Sequence, residues 1–260
     1  MKHDLFNIRL DITDRTGVLN KCGGFFQSDN TRTLFFLNAH CFNIAQTDSE
    51  YRKAINGSDL LLNDGIGISL ACRLIGIKPF ENLNGTDLIP EIISFAEKKG
   101  ISVYLLGGKD GVAVKAAERI KDNIPGLHIA GTGSGYFSKD REAEIIHSIN
   151  ESKAGLLVLG MGVPKQELWA RENRRLLKNV RLIIAGGAIL DFMSGKVKRA
   201  PIWMRKMRFE WLYRLWLEPD RMWRRYITGT FLFFYYLLKL RITSLQGKNI
   251  STASMNTFKN

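Results

Sequence analysis

The segment 155–187 reads GLLVLGMGVPKQELWARENRRLLKNVRLIIAGG. Two short apolar runs, at 155–159 and 180–185, are typical of strands that are buried on both faces of a sheet. Between them, Pro164 opens a helical segment that continues to about residue 177. Strand, helix and strand in this order predict two parallel strands joined by a crossover helix, the unit of an α/β fold.

The same alternation extends toward the N-terminus. Apolar strand candidates occur, with helical segments between most of them, at 5–10, 33–37, 59–63, 101–106 and 128–130. We therefore predict an α/β fold with a mostly parallel, Rossmann-like sheet and helices on both faces. Ligands of such sheets bind at the carboxyl ends of the strands. This chain places glycine-rich turns there, at 64–67, 107–108, 131–135, 160–162 and 186–187.

After Pro201 the pattern changes to helices alone. The segment 196–225 holds ten Lys or Arg residues against three acidic ones, and four of the five tryptophans of the chain. The uncharged run 227–238 follows, and it is too short to span a bilayer. This combination is typical of a helix at a membrane interface, although the tryptophans could instead pack as a core against the sheet.

These patterns divide the chain into three parts. We predict an α/β catalytic domain at 1–200, a basic, helical, membrane-associating appendage at 201–243 and a disordered tail at 244–260. With 260 residues, 45 % hydrophobic and 24 % charged, a packed core is feasible and global disorder is excluded.

The net charge of +13 indicates an anionic partner, which can be nucleic acid, anionic lipid or a phosphate-rich substrate. Three scattered cysteines without CxxC spacing favour a reducing compartment and no cysteine-based metal site. The first residues contain no apolar run of signal-peptide length. We therefore expect a cytoplasmic protein.

Candidate catalytic side chains follow two of the predicted strands. Asp64 comes directly after the strand at 59–63, where a carboxylate can take a proton from an attacking hydroxyl. The alternative is that Asp64 caps the following helix. Asn38 and His40 end the preceding strand and would face the same crevice, although for His40 taken alone a structural role is favoured.

The motif GMGVPKQE at 160–167 combines flexible glycines with a proline and polar side chains at a helix start. Free N–H groups at a helix N-terminus suit a diphosphate, and Lys165 adds charge. The alternative is an ordinary loop with a solvated Lys165. Gly186 and Gly187 permit close approach of either a ligand or a packed helix.

Other nucleotide motifs are absent. Neither GMGVPKQE nor the GTGSG turn around Gly133 is a P-loop, and no GxGxxG follows the first strand, so nicotinamide binding is poorly supported. Arg214, Arg221 and Arg225 fall at i, i+7 and i+11, one helical stripe if Pro219 does not interrupt it. Planar, permanently charged guanidinium groups suit a pyrophosphate, and the alternative is a solvated face.

Together these segments resemble the WecG/TagA/CpsF glycosyltransferases, glycosyltransferase family 26. The resemblance covers residues 33–228 and rests, in this order, on DGIGISLACRLIG, NGTDL, GTGSGYF, LGMGVPKQELW, AGGAILDFMSGKVKRAP, FEWLYRLWLEPDR and RRY. It implies inverting transfer of a sugar from a UDP-sugar to a polyprenyl-diphosphate-linked sugar, in surface polysaccharide or teichoic acid assembly. It further implies a peripheral location on the inner face of the cell membrane, self-association, and no bound metal or other cofactor.

By position, the resemblance makes Asp64 the catalytic base. The substrate-binding candidates are Asn38, His40, Asn82, Gly133, Lys165, Gln166, Glu167, Gly186, Gly187, Arg199, Arg214, Arg221 and Arg224. The last three match arginines of an appendage that holds the diphosphate. Phe36 replaces a Thr of teichoic-acid members and Asn82 an Arg that members often carry, which argues against assuming N-acetylmannosamine as the donor. Its uronic acid, glucose or a similar sugar are also possible donors.

A function of another class is a non-catalytic basic module that binds nucleic acid or an anionic membrane. The charge of the chain supports it, but the apolar run 231–238 argues against nucleic acid, whose surface is polar and phosphate-lined. We therefore expect no nucleic-acid partner.

Overall fold

Eight strands occur in the residues described by this computed structural model, which are 2–78, 81–207 and 210–256. In chain order they are β1 (Lys2–Asp4), β2 (Arg9–Asp11), β3 (Arg32–Leu37), β4 (Leu60–Asn63), β5 (Val103–Gly107), β6 (Ile129–Gly133), β7 (Leu156–Gly160) and β8 (Leu182–Ala185). The last six form one sheet of order β4-β3-β8-β7-β5-β6. Every neighbouring pair in it is parallel, which confirms the predicted sheet.

Thirteen α-helices belong to the same described residues. They are α1 (Arg15–Phe26), α2 (Ala39–Thr47), α3 (Ser49–Asn56), α4 (Ile66–Leu74), α5 (Gly85–Lys98), α6 (Val112–Asn123), α7 (Glu142–Glu151), α8 (Lys165–Asn173), α9 (Ile189–Met193), α10 (Ile202–Lys206), α11 (Glu210–Leu217), α12 (Pro219–Trp223) and α13 (Gly229–Asn256). For Lys206, Arg221, Arg224, Arg225 and 244–256 only the backbone is described.

The helices cover both faces of the sheet, as predicted. Along β3, Leu34 and Phe36 point into one apolar cluster and Phe35 and Leu37 into the other, because successive side chains of a strand alternate between faces. One cluster is completed by α1, α5, α6 and α9, and the other by α2, α3, α4, α7, α8 and α13. Burial on both faces explains why the sequence of β3 is continuously apolar.

The predicted strand at 5–10 is correct only at its end, because Arg9 and Leu10 belong to β2. Residues 5–8 form the turn of an antiparallel pair made by β1 and β2, with positive φ angles of 54° at Phe6 and 66° at Asn7. Leu5 and Ile8 are fully buried in the core. Their apolar character therefore anchors a turn and does not mark a strand.

The last helix is part of the core of the α/β fold. The ring of Phe233 on α13 lies 5.2 Å from that of Phe42 on α2, and Asn43 Nδ2 donates to Gly229 O over 2.7 Å. A π-helical turn at Arg224–Thr228 leads into α13. Within the described residues, no helix has the length and apolar character needed to cross a bilayer.

The C-terminal boundaries differ from the predicted pattern. α13 extends beyond residue 243, where the sequence predicts a disordered tail, and residues 257–260 of that tail lie outside the described residues. The helical pattern predicted after Pro201 is confirmed by α10, α11, α12 and α13. The division of the chain at 200 and 243 into separate units stays a prediction.

Candidate active site

A cavity of about 380 Å³ opens at the carboxyl ends of the strands. Its wall includes residues that follow five different strands, namely Asn38, Asp64, Gly108, Met161 and Gly186. β3 lies between β4 and β8, so the chain order reverses at this point of the sheet. Open parallel sheets bind ligands at such a reversal, and the cavity lies where the sequence predicts a binding crevice.

Asp64 lies in the wall of this cavity, directly after β4. The helix that follows, α4, has Gly65 at its N-cap with a φ of 94° and no side-chain capping bond. The N-cap position is therefore occupied by Gly65, and Asp64 lies one residue before it. Asp64 N–H donates to Leu37 O over 2.8 Å, which ties the residue to the end of β3.

Asn38 orients the carboxylate from the neighbouring strand end. Its Oδ1 accepts from Cys41 N–H over 3.0 Å, so Asn38 is the N-cap of α2. This bond fixes the amide plane and leaves Nδ2 at 3.5 Å from Asp64 Oδ2. The Asn38 side chain thus both caps α2 and positions the carboxylate of Asp64. His40, in the first turn of α2, lies in the same wall.

Asn82 holds the turn that carries Asp64. Its Oδ1 accepts from Gly65 N–H over 2.6 Å, a contact between residues 17 positions apart. Asn63 Nδ2 donates to Glu81 O over 2.9 Å, which fastens the same loop to the end of β4. The structure places Asn82 beside the turn that carries Asp64, and its predicted contact with substrate stays a prediction.

Gln166 and Glu167 line the cavity and form a buried chain next to the glycine turn after β8. Each is 1 % exposed. Gln166 Nε2 donates to Glu167 Oε1 over 2.8 Å, and Gln166 Oε1 accepts from Gly187 N–H over 3.0 Å. Burial raises the pKa of Glu167 to about 8, so this carboxyl is mainly protonated at neutral pH. Its Oε2 has no hydrogen-bond partner among the described residues.

The glycine pair after β8 is required for two different reasons. A Cβ on Gly186 would lie 2.5 Å from Ile189 Cγ2, so that position is set by tight packing. Gly187 has a φ of 61°, the left-handed region that favours glycine. Both residues line the cavity, so the packing alternative is confirmed for Gly186, and the close approach of a ligand stays a prediction.

Three basic side chains lie in the wall of the cavity: Lys109, Lys196 and Arg214. The guanidinium of Arg214, on α11, lies 4.3 Å from the centroid of the Phe192 ring, a cation–π contact that fixes its position. Lys196 Nζ lies 3.3 Å from Asp191 Oδ1. Sequence analysis missed both lysines, although Lys109 directly follows the glycine pair that ends β5.

Three other predicted residues lie away from the cavity wall. Lys165 is exposed, and its Nζ donates to Gly135 O over 2.9 Å and lies 4.6 Å from the Phe137 ring centroid, so its predicted contact with a diphosphate stays a prediction. Gly133 ends the edge strand β6. Arg199 Nη2 lies 2.7 Å from Asp87 Oδ1.

Asp87 accepts hydrogen bonds from two side chains. Burial acts to raise the pKa of its carboxyl, but the hydrogen bonds from Asn84 and Arg199 outweigh it and keep the pKa below its ordinary value. Arg199 is therefore bound to the first turn of α5, next to the cavity. The side chains of Arg221 and Arg224 lie outside the described residues, and their predicted role stays a prediction.

A carboxylate, a glycine-rich strand-end crevice and Lys and Arg side chains around one cavity form a candidate active site of an enzyme. The model of the Glycosyl transferase WecG/TagA/CpsF family matches residues 3–247 of this chain. The chain belongs to this family and is a glycosyltransferase. The resemblance inferred from the motifs is thereby confirmed.

Two curated relatives are each 33 % identical to this chain, and both are named N-acetylglucosaminyldiphosphoundecaprenol N-acetyl-beta-D-mannosaminyltransferase. One, from Bacillus spizizenii, matches over 185 residues, which are 71 % of this chain and 70 % of the relative. The other, from Bacillus subtilis strain 168, matches over 219 residues, which are 84 % of this chain and 81 % of the relative.

Proposed function

We propose that this glycosyltransferase moves a sugar from a UDP-sugar to a polyprenyl-diphosphate-linked sugar, with Asp64 as the general base. The observation that carries the proposal is the position of Asp64, in the cavity wall directly after β4 and next to the amide of Asn38. The names of the two relatives support the acceptor, because both contain N-acetylglucosaminyldiphosphoundecaprenol. The proposed reaction is a single displacement with inversion at the anomeric carbon.

Asp64 supplies the base for the attacking hydroxyl. As the acceptor oxygen bonds to the anomeric carbon, its proton passes to the Asp64 carboxylate and the bond from that carbon to the diphosphate oxygen breaks. UDP leaves with the electron pair of the broken bond. Asn38 holds the carboxylate toward the cavity through the contact described above, which reduces the reorganisation needed in the transition state.

The basic side chains suit the leaving group. Negative charge grows on the diphosphate as the bond to the sugar breaks, and cations fixed in advance stabilise this charge most effectively. Arg214 is held over Phe192 and Lys196 beside Asp191. Lys109 adds a third cation at the end of β5. We assign the diphosphate of the donor to the space among these three groups.

The donor sugar belongs to the set named from the sequence: N-acetylmannosamine, its uronic acid, glucose or a similar sugar. The relatives are named for N-acetyl-β-D-mannosamine transfer, which favours the first. Phe36 lies in the cavity wall, and its ring comes within 3.3 Å of the position of a Cβ on Gly85. An aromatic ring there shapes the sugar site, so the donor is best identified by comparing the different UDP-sugars directly as substrates.

We further propose that the enzyme acts as a peripheral protein on the inner face of the cytoplasmic membrane. A lipid-linked acceptor requires access to a bilayer, and Trp203 and Trp216 of the C-terminal helices stay 60 % and 75 % exposed. For these two residues, packing as a core against the sheet is excluded. Exposed tryptophans on basic helices favour an anionic lipid surface over nucleic acid, and self-association stays a prediction.

The test is UDP release from a panel of UDP-sugars, with and without a polyprenyl-diphosphate-GlcNAc analogue. We expect acceptor-dependent release from one donor, reduced about 10²- to 10⁴-fold in Asp64→Asn because the base is lost. Asp122→Asn, on the exposed surface of α6, is the matched control and should keep the wild-type rate. Full activity of Asp64→Asn would exclude this residue as the base.

A further inference from the structure

The helix that directly follows Asp64 carries an exposed apolar stripe. On α4, Ile66, Leu70 and Leu74 are 56 %, 39 % and 45 % exposed over the described residues. Their spacing of four residues places them on one face of the helix. The opposite face, with Ile68, Ala71 and Cys72, is buried in the core. We call Ile66, Leu70 and Leu74 the α4 stripe. Three large aliphatic side chains in a row are more than the isolated exposed apolar residue that needs no explanation.

A second exposed apolar surface lies on the neighbouring helix α13. Phe233 and Leu237 face the core, and the other side of the helix exposes large apolar side chains. We call these the α13 outer face: Phe231, Phe234, Tyr235, Leu238 and Ile242. The two helices meet at Gly67, where an added Cβ would lie 3.5 Å from the Phe233 ring. Ile66, the first residue of the α4 stripe, is therefore adjacent in sequence to the residue at which α4 contacts α13.

The charges around both surfaces fit one kind of partner. The segment 66–78 contains no acidic residue and carries the exposed Arg73 and Lys78 at its end. The segment 229–243 of α13 contains no acidic residue either and carries Lys239 and Arg241. Apolar faces bordered by cations alone are complementary to a bilayer with anionic headgroups, in which the apolar side chains enter the acyl boundary.

We propose that the α4 stripe and the α13 outer face form one lipid-binding surface, so that part of the membrane contact comes from the helix that carries the catalytic turn. This inference rests on the proposed function, because it is the lipid-linked acceptor that requires the contact. Asp64 lies two residues before α4, so a bilayer at the α4 stripe places the base within about one helical turn of the lipid surface. The diphosphate and first sugar of a polyprenyl-linked acceptor lie at this depth.

The test measures vesicle binding of the full chain without acceptor. Vesicles of phosphatidylcholine with and without a quarter phosphatidylglycerol are sedimented with wild type and with Leu70→Gln/Leu74→Gln. We expect the double variant to lose about tenfold in partition onto the anionic vesicles, since two half-exposed leucines no longer enter lipid. The matched control is Val114→Gln/Leu176→Gln, which removes two side chains of similar exposure, 48 % and 54 %, on other surfaces.

Two further measurements separate the outcomes. Thermal unfolding shows whether each variant keeps its fold, and transfer to a short-chain, water-soluble acceptor shows whether the catalytic centre is intact. Loss of vesicle binding with both of these retained supports the proposal. Equal vesicle binding by wild type and Leu70→Gln/Leu74→Gln overturns the proposal. If, in that case, the molecular mass measured by light scattering also differs between the two, the α4 stripe is a self-association surface instead.

Failure of the proposed function gives a different result. If no donor supports transfer to the short-chain acceptor but the double variant still loses vesicle binding, the lipid-binding surface stands and the reaction is wrong. If wild type transfers sugar to the short-chain acceptor but binds no vesicles, the surface is wrong and the reaction stands.

Discussion

Replacing Glu167 by Gln should make the protein more stable at alkaline pH than wild type. Glu167 is buried behind the glycine turn after β8, and burial raises the pKa of its carboxyl from the ordinary 4.5 to about 8. Below pH 4.5 the carboxyl is protonated in both the folded and the unfolded chain and does not affect the balance. Between these two pH values the unfolded chain releases the proton and the folded chain keeps it, so the free energy of unfolding falls as pH rises.

The size of this effect follows from the two pKa values. Each pH unit within the interval lowers the free energy of unfolding by about 1.4 kcal/mol, and the whole interval comes to about 5 kcal/mol. Above pH 8 the contribution is constant. Gln has the shape of the protonated carboxyl and can still accept the hydrogen bond from Gln166 Nε2. Glu167→Gln should therefore remove this pH-dependent loss of stability without breaking the hydrogen bond between Gln166 and Gly187.

Urea unfolding at pH 5, 6, 7 and 8, followed by tryptophan fluorescence, measures the effect. We expect the difference in unfolding free energy between Glu167→Gln and wild type to grow by about 4 kcal/mol from pH 5 to pH 8. Glu172→Gln, on the exposed side of the same helix, is the matched control and should follow wild type. Parallel curves for Glu167→Gln and wild type would refute the reasoning, because they would mean that Glu167 is ionised in the folded protein.

Three further changes test the site. Asn82→Ala removes the acceptor of Gly65 N–H, and we expect urea unfolding to show a free energy of unfolding lower by about 1–3 kcal/mol. We also expect kcat to fall by a larger factor than KM changes, and an unchanged kcat would contradict the positioning role of Asn82. Lys109→Met should raise the KM for the UDP-sugar while the acceptor KM stays constant, and equal shifts in both would argue against a diphosphate contact. Asp87, whose pKa is lowered, stabilises the fold above its unfolded pKa, and the contribution is lost as pH falls through the folded value. As the pH is lowered from 6 to 3, urea unfolding should show the free energy of unfolding of wild type losing its advantage over that of Asp87→Asn. A constant difference over this range would count against this.

The sheet could be predicted because its signal is local. The run TLFFL of β3 is apolar at every position since both faces of that strand are buried, and no helix of ordinary amphipathic pattern has this composition. The segment 5–10 is also rich in apolar residues, but 5–8 form a turn with positive φ at Phe6 and Asn7, and only its end belongs to β2. Asn7 is a residue type that tolerates this conformation and Phe6 is not, so the sequence contains only a weak signal for that turn.

The candidate site was predictable only in part. The position of Asp64 at a strand end followed from the alternation of elements, but the choice between cap and base depends on Gly65, which occupies the cap position itself. The contact from Asn82 to Gly65 spans 17 residues and has no local pattern. Lys109 is a different case, because its place after a strand-end glycine pair was visible and a phosphate-binding role could have been inferred from it.

The packing of α13 has a consequence for how the enzyme meets its substrate. Phe233 and Leu237 share the core with Phe42, and moving α13 away would vacate an aromatic site at a cost of about 3–5 kcal/mol. α13 is thus a rigid spacer and not a tether. On the proposed lipid-binding surface, such a spacer would hold the cavity at one height above the membrane. The distance of an acceptor hydroxyl from the lipid would then contribute to which hydroxyl reaches Asp64.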